Sequence, residues 1–560
     1  MKKKFLALLL SATVLSVGLM GFTCGGYDSV FVPAAEAAAE QSASGTPLAD
    51  ARVRQALSYA IDMDLIVDAI FEGKAETAIS MTAPSDWLAP GLPDYSYNPE
   101  KARQLLAEAN WPSDYILDVV YYYDDQQTVD FLTIIGQFWA DVGVKAQFRK
   151  LEGDLPSQLW VPPADRVNGP SVILWDVAYA AVSALVEHEF YDRYSSTASN
   201  NSTVPKDAAL DELIAASNAT ANVDEQKEIF MEIQRIIAEN VYSMPLYHQV
   251  VFIFISDNLD VGGIDHGNDQ FSYEKNVLDW VTKRDNGLIY TNGGPLEFFS
   301  SIHVNPGQYL YQEFVLERLI NADYNLNPTD GMLAESYTVS EDGKTIVFNL
   351  REGLKWHDGA DLTPDDVKFT IELLAKTPGT NTIASGTFRA IRGAGDYLTG
   401  DADGIEGIVI DGNTITIEFE NVAANALMTF SQWPVLPKHL LGDVDPNTLQ
   451  QHAFWQKPIG SGPYKVDEVV LNNYTTLVRW DGYYKTGTGN VQTIHMHASA
   501  ETDSNLVVNT QAGIIDYAYS KNTDDAIAIE GMDHVSSIVA NVRYTRCFYI
   551  NQFPHEPNIR

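Results

Sequence analysis

Ser461, in the run Pro458-Ile459-Gly460-Ser461-Gly462-Pro463-Tyr464, is the first side chain whose surroundings could do chemistry. A nucleophile elbow needs glycines two residues before and after its serine, whereas here they are adjacent, so the run reads as a turn. His357-Asp358 and the pair His495 and His497 could serve as a general base or hold a metal, since imidazole titrates near neutrality. His357 lies in a turn sequence, and the pair has no cysteine or carboxylate at ligand spacing, so neither is read as a metal site. No phosphate-loop or dinucleotide fingerprint is present, no cofactor is expected, and no enzyme is read from these residues. Aromatic residues remain: 10 Trp, 28 Tyr and 23 Phe, several between strand-like segments. Their flat faces suit extended ligands such as peptides or sugars.

The elements that must carry these rings alternate. Apolar spacing over 52–71 predicts a helix, and Asn98-Pro99-Glu100 opens another over 100–109, with Asn98 as cap and Pro99 in the first turn. Residues 116–123 read as a strand, 129–142 as an amphipathic helix, and 144–148 and 171–175 as further strands. A helix over 224–239 precedes an apolar strand over 242–255. Beyond residue 300 the text turns strand-rich, with Asp342-Gly343 and Asp411-Gly412 as hairpin turns beside half-buried strands over 345–350 and 414–419.

A chain of 560 residues exceeds one ordinary core, which predicts two or three domains. Its 36 basic and 75 acidic residues give a charge of −39, which repels nucleic acid and anionic membranes. Residues 1–4 are basic and 5–20 apolar, so 1–39 reads as a secretory signal and tether, and the mature chain as exported. Either lipid attachment at Cys24 makes it a cell-surface lipoprotein, or cleavage near 35–39 frees it into the periplasm; the membrane is met only through signal or anchor. Without Cys24, Cys547 stands alone and no intrachain disulfide can form.

The segments 340–345 and 350–359, with Trp356-His357-Asp358-Gly359, and then Leu362-Thr363-Pro364-Asp365-Asp366-Val367, resemble the signature of the bacterial extracellular solute-binding proteins of family 5. The Gly460-Ser461-Gly462-Pro463-Tyr464 run, Arg52-Val53-Arg54-Gln55-Ala56-Leu57 and Tyr97-Asn98-Pro99-Glu100-Lys101-Ala102 resemble the same family's other landmarks. Their order is swapped: the family's first half corresponds to 288–560 here and its second half to 50–280. Pro557-Asn558-Ile559-Arg560 would continue as Gln55-Ala56-Leu57, which reads as a circular permutation.

The resemblance implies an α/β fold of the periplasmic-binding-protein type (type II, cluster C): a two-lobed clamp with an extra subdomain in lobe I. Lobe II would span 50–248, a return segment 252–283, lobe I with its subdomain 284–548, and a hinge exit 549–560 that docks on lobe II. It implies a monomeric receptor of an ABC importer that captures an oligopeptide between closing lobes and meets a permease and ATPase complex. An oligosaccharide receptor or a sensor component is the alternative. Residues expected in the cleft are Asn292, Glu297, Phe298, Trp433, Trp455, Tyr544 and Arg546, with Trp175, Asp176 and Tyr179 from lobe II. Peptide-binding members carry an Asp-Pro loop after a strand like 171–175. Here that loop reads Trp175-Asp176-Val177-Ala178-Tyr179-Ala180-Ala181-Val182, without Asp-Pro.

Overall fold

The computed structural model describes residues 45–184, 186–262, 276–294, 314–323, 327–498 and 505–556. The signal segment, Cys24, Glu297, Phe298 and the last residues, 557–560, lie outside these. The chain forms two compact units and passes between them at 215/216, 226/227, 249/250 and 542/543. Among the described residues no helix is long and apolar enough to cross a membrane.

The first unit packs helices on a mixed sheet. Its part of the sheet is ordered Ser243–Ser256, Val535–Ile550, Val177–Ser183, Ile116–Tyr121, Lys145–Lys150, the first two strands giving this unit residues 243–249 and 543–550. Val535–Ile550 pairs antiparallel with Val177–Ser183, whereas Ile116–Tyr121 runs parallel to both of its neighbours. The helix expected over 52–71 is broken in two, Ala51–Tyr59 and Met63–Ile70, because the Asp62 carboxylate accepts the Leu65 N–H at 3.0 Å and starts a new helix. Asn98 caps Pro99–Glu108 as its sequence predicts, accepting from Lys101 N at 2.9 Å. Asp125 caps Gln126–Asp141 through Thr128 N at 2.7 Å. Apolar side chains from these helices and from both faces of the sheet fill two cores. Trp139, Phe148 and Phe548 mark one; Trp175, Cys547 and Tyr549 mark the other.

The strand expected over 171–175 is not one. Residues 171–175 are irregular, and the strand is the next segment, Val177–Ser183, which the sequence reading took for the loop. Asp176 sets this register: its N–H donates to Asp118 O at 3.0 Å and its carboxylate accepts Asp118 N at 2.9 Å, so regular pairing starts one residue later. Residues 551–556 then dock on the same unit. Ser171 N donates to Pro554 O at 2.8 Å, Gln552 N to Thr203 O at 2.9 Å, and Asn551 Nδ2 to Trp175 O at 3.1 Å.

The second unit holds the strands Tyr464–Val470, Tyr474–Arg479, Thr493–Ala498, Leu288–Gly294 and Tyr517–Ser520 in that order. It also holds a separate antiparallel sheet, Ala334–Val339, Thr345–Leu350, Thr414–Glu418 and Ile408–Asp411, whose hairpins turn at Gly343 and Gly412 with φ of 66° and 61°. Residues 216–226 cluster with this unit, and Gln226 Nε2 donates to Ala424 O at 3.3 Å. The signature segments meet here. Gly460 N donates to His357 Nδ1 at 3.2 Å, so His357 carries its proton on Nε2 and donates it to Gly462 O at 3.0 Å. A Cβ on Gly460 would run into the Val315 carbonyl oxygen, and one on Gly462 would lie 2.7 Å from Phe314 O. The glycines therefore allow a backbone approach that the histidine clamps; Ser461 sits in that clip, not on an elbow.

Candidate functional site: an arginine in a tyrosine cage

Three arginines of the first unit are withdrawn from water, and they are satisfied unequally. Arg54 spends its guanidinium on four carbonyls, those of Leu48 at 2.7 Å, Ala49 at 3.0 Å, Asn240 at 2.7 Å and Val241 at 3.1 Å. Asn240 ends the helix Val223–Asn240, where a cation complements the carbonyl dipoles. Burial still pulls the Arg54 pKa down to about 10. Arg543 faces the buried Glu187 carboxylate at 3.6 Å. Arg546, three residues along the same strand, makes no hydrogen bond and no ion pair among the described residues, and its Nε and Nη1 are shut off from solvent.

What surrounds Arg546 is aromatic. Its guanidinium carbon lies 3.9 Å from the Tyr123 ring centroid, 5.3 Å from that of Tyr544 and 5.9 Å from that of Tyr179. The sheet explains the assembly. Arg546 sits opposite Ala181, Phe548 opposite Tyr179 and Tyr544 opposite Ser183, so period-two alternation places all six on one face. Tyr123 follows Ile116–Tyr121 and joins from the neighbouring strand. Arg546 has the small Ala181 as its cross-strand partner. Burial runs out along Val177–Ser183, from four buried residues at 177–180 to an exposed Ser183 opposite Tyr544.

The rings are held from behind. Tyr179 and Tyr247 share a hydroxyl contact of 3.0 Å, Tyr123 donates to Tyr122 at 3.1 Å, and Phe131 packs 5.5 Å from both Tyr179 and Tyr247. Burial pushes the phenols of Tyr123, Tyr179 and Tyr247 up, so all three are neutral near pH 7. The strand is pinned at Thr545, whose hydroxyl donates to Met81 O at 2.7 Å and therefore accepts from His248 Nδ1 at 2.9 Å. Burial lowers His248 to about 4, consistent with a neutral ring that carries its proton on Nδ1.

The other expected residues lie elsewhere, their polar groups largely spent internally. Asp176 is fully buried and accepts from Tyr115 at 2.9 Å and from Asp118 N, with His555 Nε2 3.1 Å away; it fastens the terminal segment and presents no free carboxylate to a ligand. Trp175 is core, its indole N–H on Gln158 O at 3.0 Å. Trp455, expected in a loop, is 1% exposed and donates to Leu449 O, and Trp433 is likewise buried. Asn292 clips Tyr519 through both its amide atoms, at 2.9 and 3.2 Å. Tyr544, Arg546 and Tyr179 do come together. Tyr123 and Tyr247 were not singled out from sequence, and only the paired Tyr122-Tyr123 at a strand end hinted at them. For His495 and His497, no group of three metal-ligating side chains exists among the described residues.

Comparison with known proteins adds the following. The model for "Bacterial extracellular solute-binding proteins, family 5 Middle" matches residues 13–183 and 329–557. A putative ABC transporter peptide-binding protein of Brucella ovis is 29% identical over 172 residues, covering 30% of either chain. Heme-binding protein A of Haemophilus influenzae is 28% identical over 225 residues, 38% of either chain. The oligopeptide-binding protein AppA of Bacillus subtilis is 28% identical over 242 residues, 42% of this chain and 41% of that one. The chain thus spans less than half the length of these curated relatives. Among solved structures, AppA with a nonapeptide shares 24% identity at a TM-score of 0.35 over 48% of this chain and 47% of that one. NikZ of Campylobacter jejuni with Ni(L-His) shares 24% at 0.35, over 42% and 43%.

Proposed function

The chain belongs to the bacterial extracellular solute-binding proteins of family 5, and from that membership we propose that it is the exported substrate-binding receptor of an ABC importer, taking up oligopeptides. The observation that carries a binding role is the Arg546 cage, which stores hydrogen-bond donors among neutral rings with no acceptor supplied by the described part of the chain. A withdrawn charge without a hydrogen-bonded partner is costly to the fold. His357, the histidine of the signature, has both ring nitrogens committed to backbone and is not free to act as a base. The peptide reading takes its support from the Brucella and Bacillus relatives' names and from tyrosine faces that tolerate varied side chains. Arg546, Tyr123 and Tyr544 are the ligand-contacting residues in this reading.

The receptor would hand its ligand to a permease driven by an ATPase, as a monomer anchored or freed at its amino-terminal segment. The swapped motif order is read as a circular permutation, supported by the docking of residues 551–556 on the unit that holds Gln55. The direct test is a thermal-shift and calorimetric screen of peptides two to nine residues long. Ligand at 100 times its Kd adds about 2.7 kcal/mol of stability. A panel in which haem or oligosaccharides bind and no peptide does removes the peptide assignment.

A further inference from the structure

We propose that Met332 is an oxidation site: a hydroperoxide converts its thioether to the sulfoxide, and Lys485 and Tyr484 hold the new oxygen. This goes beyond the receptor reading and does not depend on which ligand the chain takes.

The observation behind it is a mismatch of partners in the second unit. Lys485 Nζ lies 2.9 Å from Met332 Sδ, and the Tyr484 hydroxyl lies 3.7 Å from the same sulfur. A thioether is a weak acceptor, whereas an ammonium carries three strong donors. Two donors therefore converge on an atom that answers neither well. A sulfoxide reverses this, because its oxygen is a polar acceptor placed on the sulfur they already face. Lys485 is exposed, so its chain can swing back by the length of the added S–O bond.

The sulfur is held in place and open to a small oxidant. Met332 N donates to Leu319 O at 2.9 Å, and Met332 O accepts from Arg351 Nε at 2.7 Å. The Arg351 guanidinium carbon lies 4.9 Å from the centre of the Tyr484 ring, which fixes the second donor. Met332 itself is half-buried. By contrast Met81, Met244, Met428 and Met496 are buried, and Met63 and Met532 pack against apolar cores.

The same contacts supply the protons. The sulfur lone pair attacks one peroxide oxygen, so the S–O bond forms as the O–O bond breaks, and the sulfur loses two electrons to the peroxide. The departing hydroxide takes a proton from the Lys485 ammonium and leaves as water. The hydroxyl now on sulfur returns its proton to the Lys485 amine, which leaves the neutral sulfoxide beside a restored ammonium. Burial lowers the Lys485 pKa; Glu317 opposes this and Arg351 and Arg318 add to it, so the ammonium gives up its proton more readily. Tyr484 keeps its O–H, since burial pushes that phenol up.

The experiment treats the full, folded chain with dilute hydrogen peroxide and follows each methionine by peptide mapping in a mass spectrometer. Met332 should react about 5–10-fold faster than Met63, Met231 and Met532, the other half-buried methionines among the described residues, a small part of what a positioned acid can supply. This comparison within the wild type needs no variant to fold. Lys485→Leu should remove that lead. Calorimetry after a brief exposure that converts Met332 alone should show Tm raised by about 2–4 °C in the wild type, from one hydrogen bond to a charged group. Oxidation of Met332 at the pace of the other three, an undiminished lead in Lys485→Leu, or a Tm that stays level or falls would each overturn the proposal.

Discussion

Methionine placed at Arg546 and at Arg543, one at a time, should move the stability of the ligand-free protein in opposite directions. The two residues share a strand and differ in what answers their charge. Arg543→Met strands Glu187, whose side chain is only 2% exposed and keeps the Thr82 hydroxyl at 2.7 Å as a remaining donor. Breaking a buried pair costs about 3–5 kcal/mol, and the 3.6 Å separation places this one near the lower figure. Arg546→Met removes a cation that has no hydrogen-bond or ion-pair partner among the described residues. It gives up contact with Tyr123 at 3.9 Å, valued at about 0.5–2 kcal/mol, and recovers a desolvation penalty of several kcal/mol. A net gain of about 1–2 kcal/mol results. At about 2–4 °C per kcal/mol for a unit of this size, Tm should fall by about 6–12 °C in the first variant and rise by about 2–8 °C in the second. Scanning calorimetry at pH 7 on ligand-free protein reads both. A fall in Tm for Arg546→Met comparable to that of Arg543→Met would show that Arg546 is structural and would refute the reasoning.

Acid should weaken the fold through two histidines. Burial lowers His248 and His357 to about 4, so the folded state binds fewer protons than the unfolded chain between that value and the unfolded pKa near 6.5. Their contribution is complete above about 6.5 and is lost as pH falls toward 4, at up to about 1.4 kcal/mol per unit for each; denaturant titrations of wild type and His357→Gln at pH 7 and 5 should differ in slope by that amount, and parallel slopes would contradict it. Gly460→Ala, forced against the Val315 carbonyl, should destabilise by more than about 2 kcal/mol, whereas Gly386→Ala, in the helix Thr382–Arg389 with no atom within 4 Å of the added carbon, should stabilise by about 0.5–1 kcal/mol. Urea midpoints decide both, and a neutral Gly460→Ala would mean the clip is looser than drawn.

Local chemistry made much of the fold legible. Asn98-Pro99 and Thr363-Pro364 announce helix starts because their side chains and ring act within one turn, and Asp342-Gly343 and Asp411-Gly412 announce hairpins for the same reason. Errors arose where a distant partner overruled the local pattern. Val172 to Trp175 look like a strand, yet Asp176 is locked to Asp118, 58 residues away, and the strand begins after it. Trp433 and Trp455 looked free in their loops, and packing buried them.

The site divides in the same way. Its ingredients, Tyr544 and Arg546 two apart on a strand, follow from alternation, which a one-dimensional pattern encodes. Whether an arginine is answered does not, because that depends on which side chains arrive from elsewhere. Arg54 meets the end of a helix 186 residues on, Arg543 meets Glu187, and Arg546 meets the ring faces of Tyr123, Tyr179 and Tyr544. Sequence by itself determined the family, the element types and the abundance of carboxylates. Only tertiary structure decided which withdrawn guanidinium meets a carboxylate, which meets carbonyls and which meets ring faces, since ion pairing is a matter of a few ångströms in space and has no fixed separation along the chain.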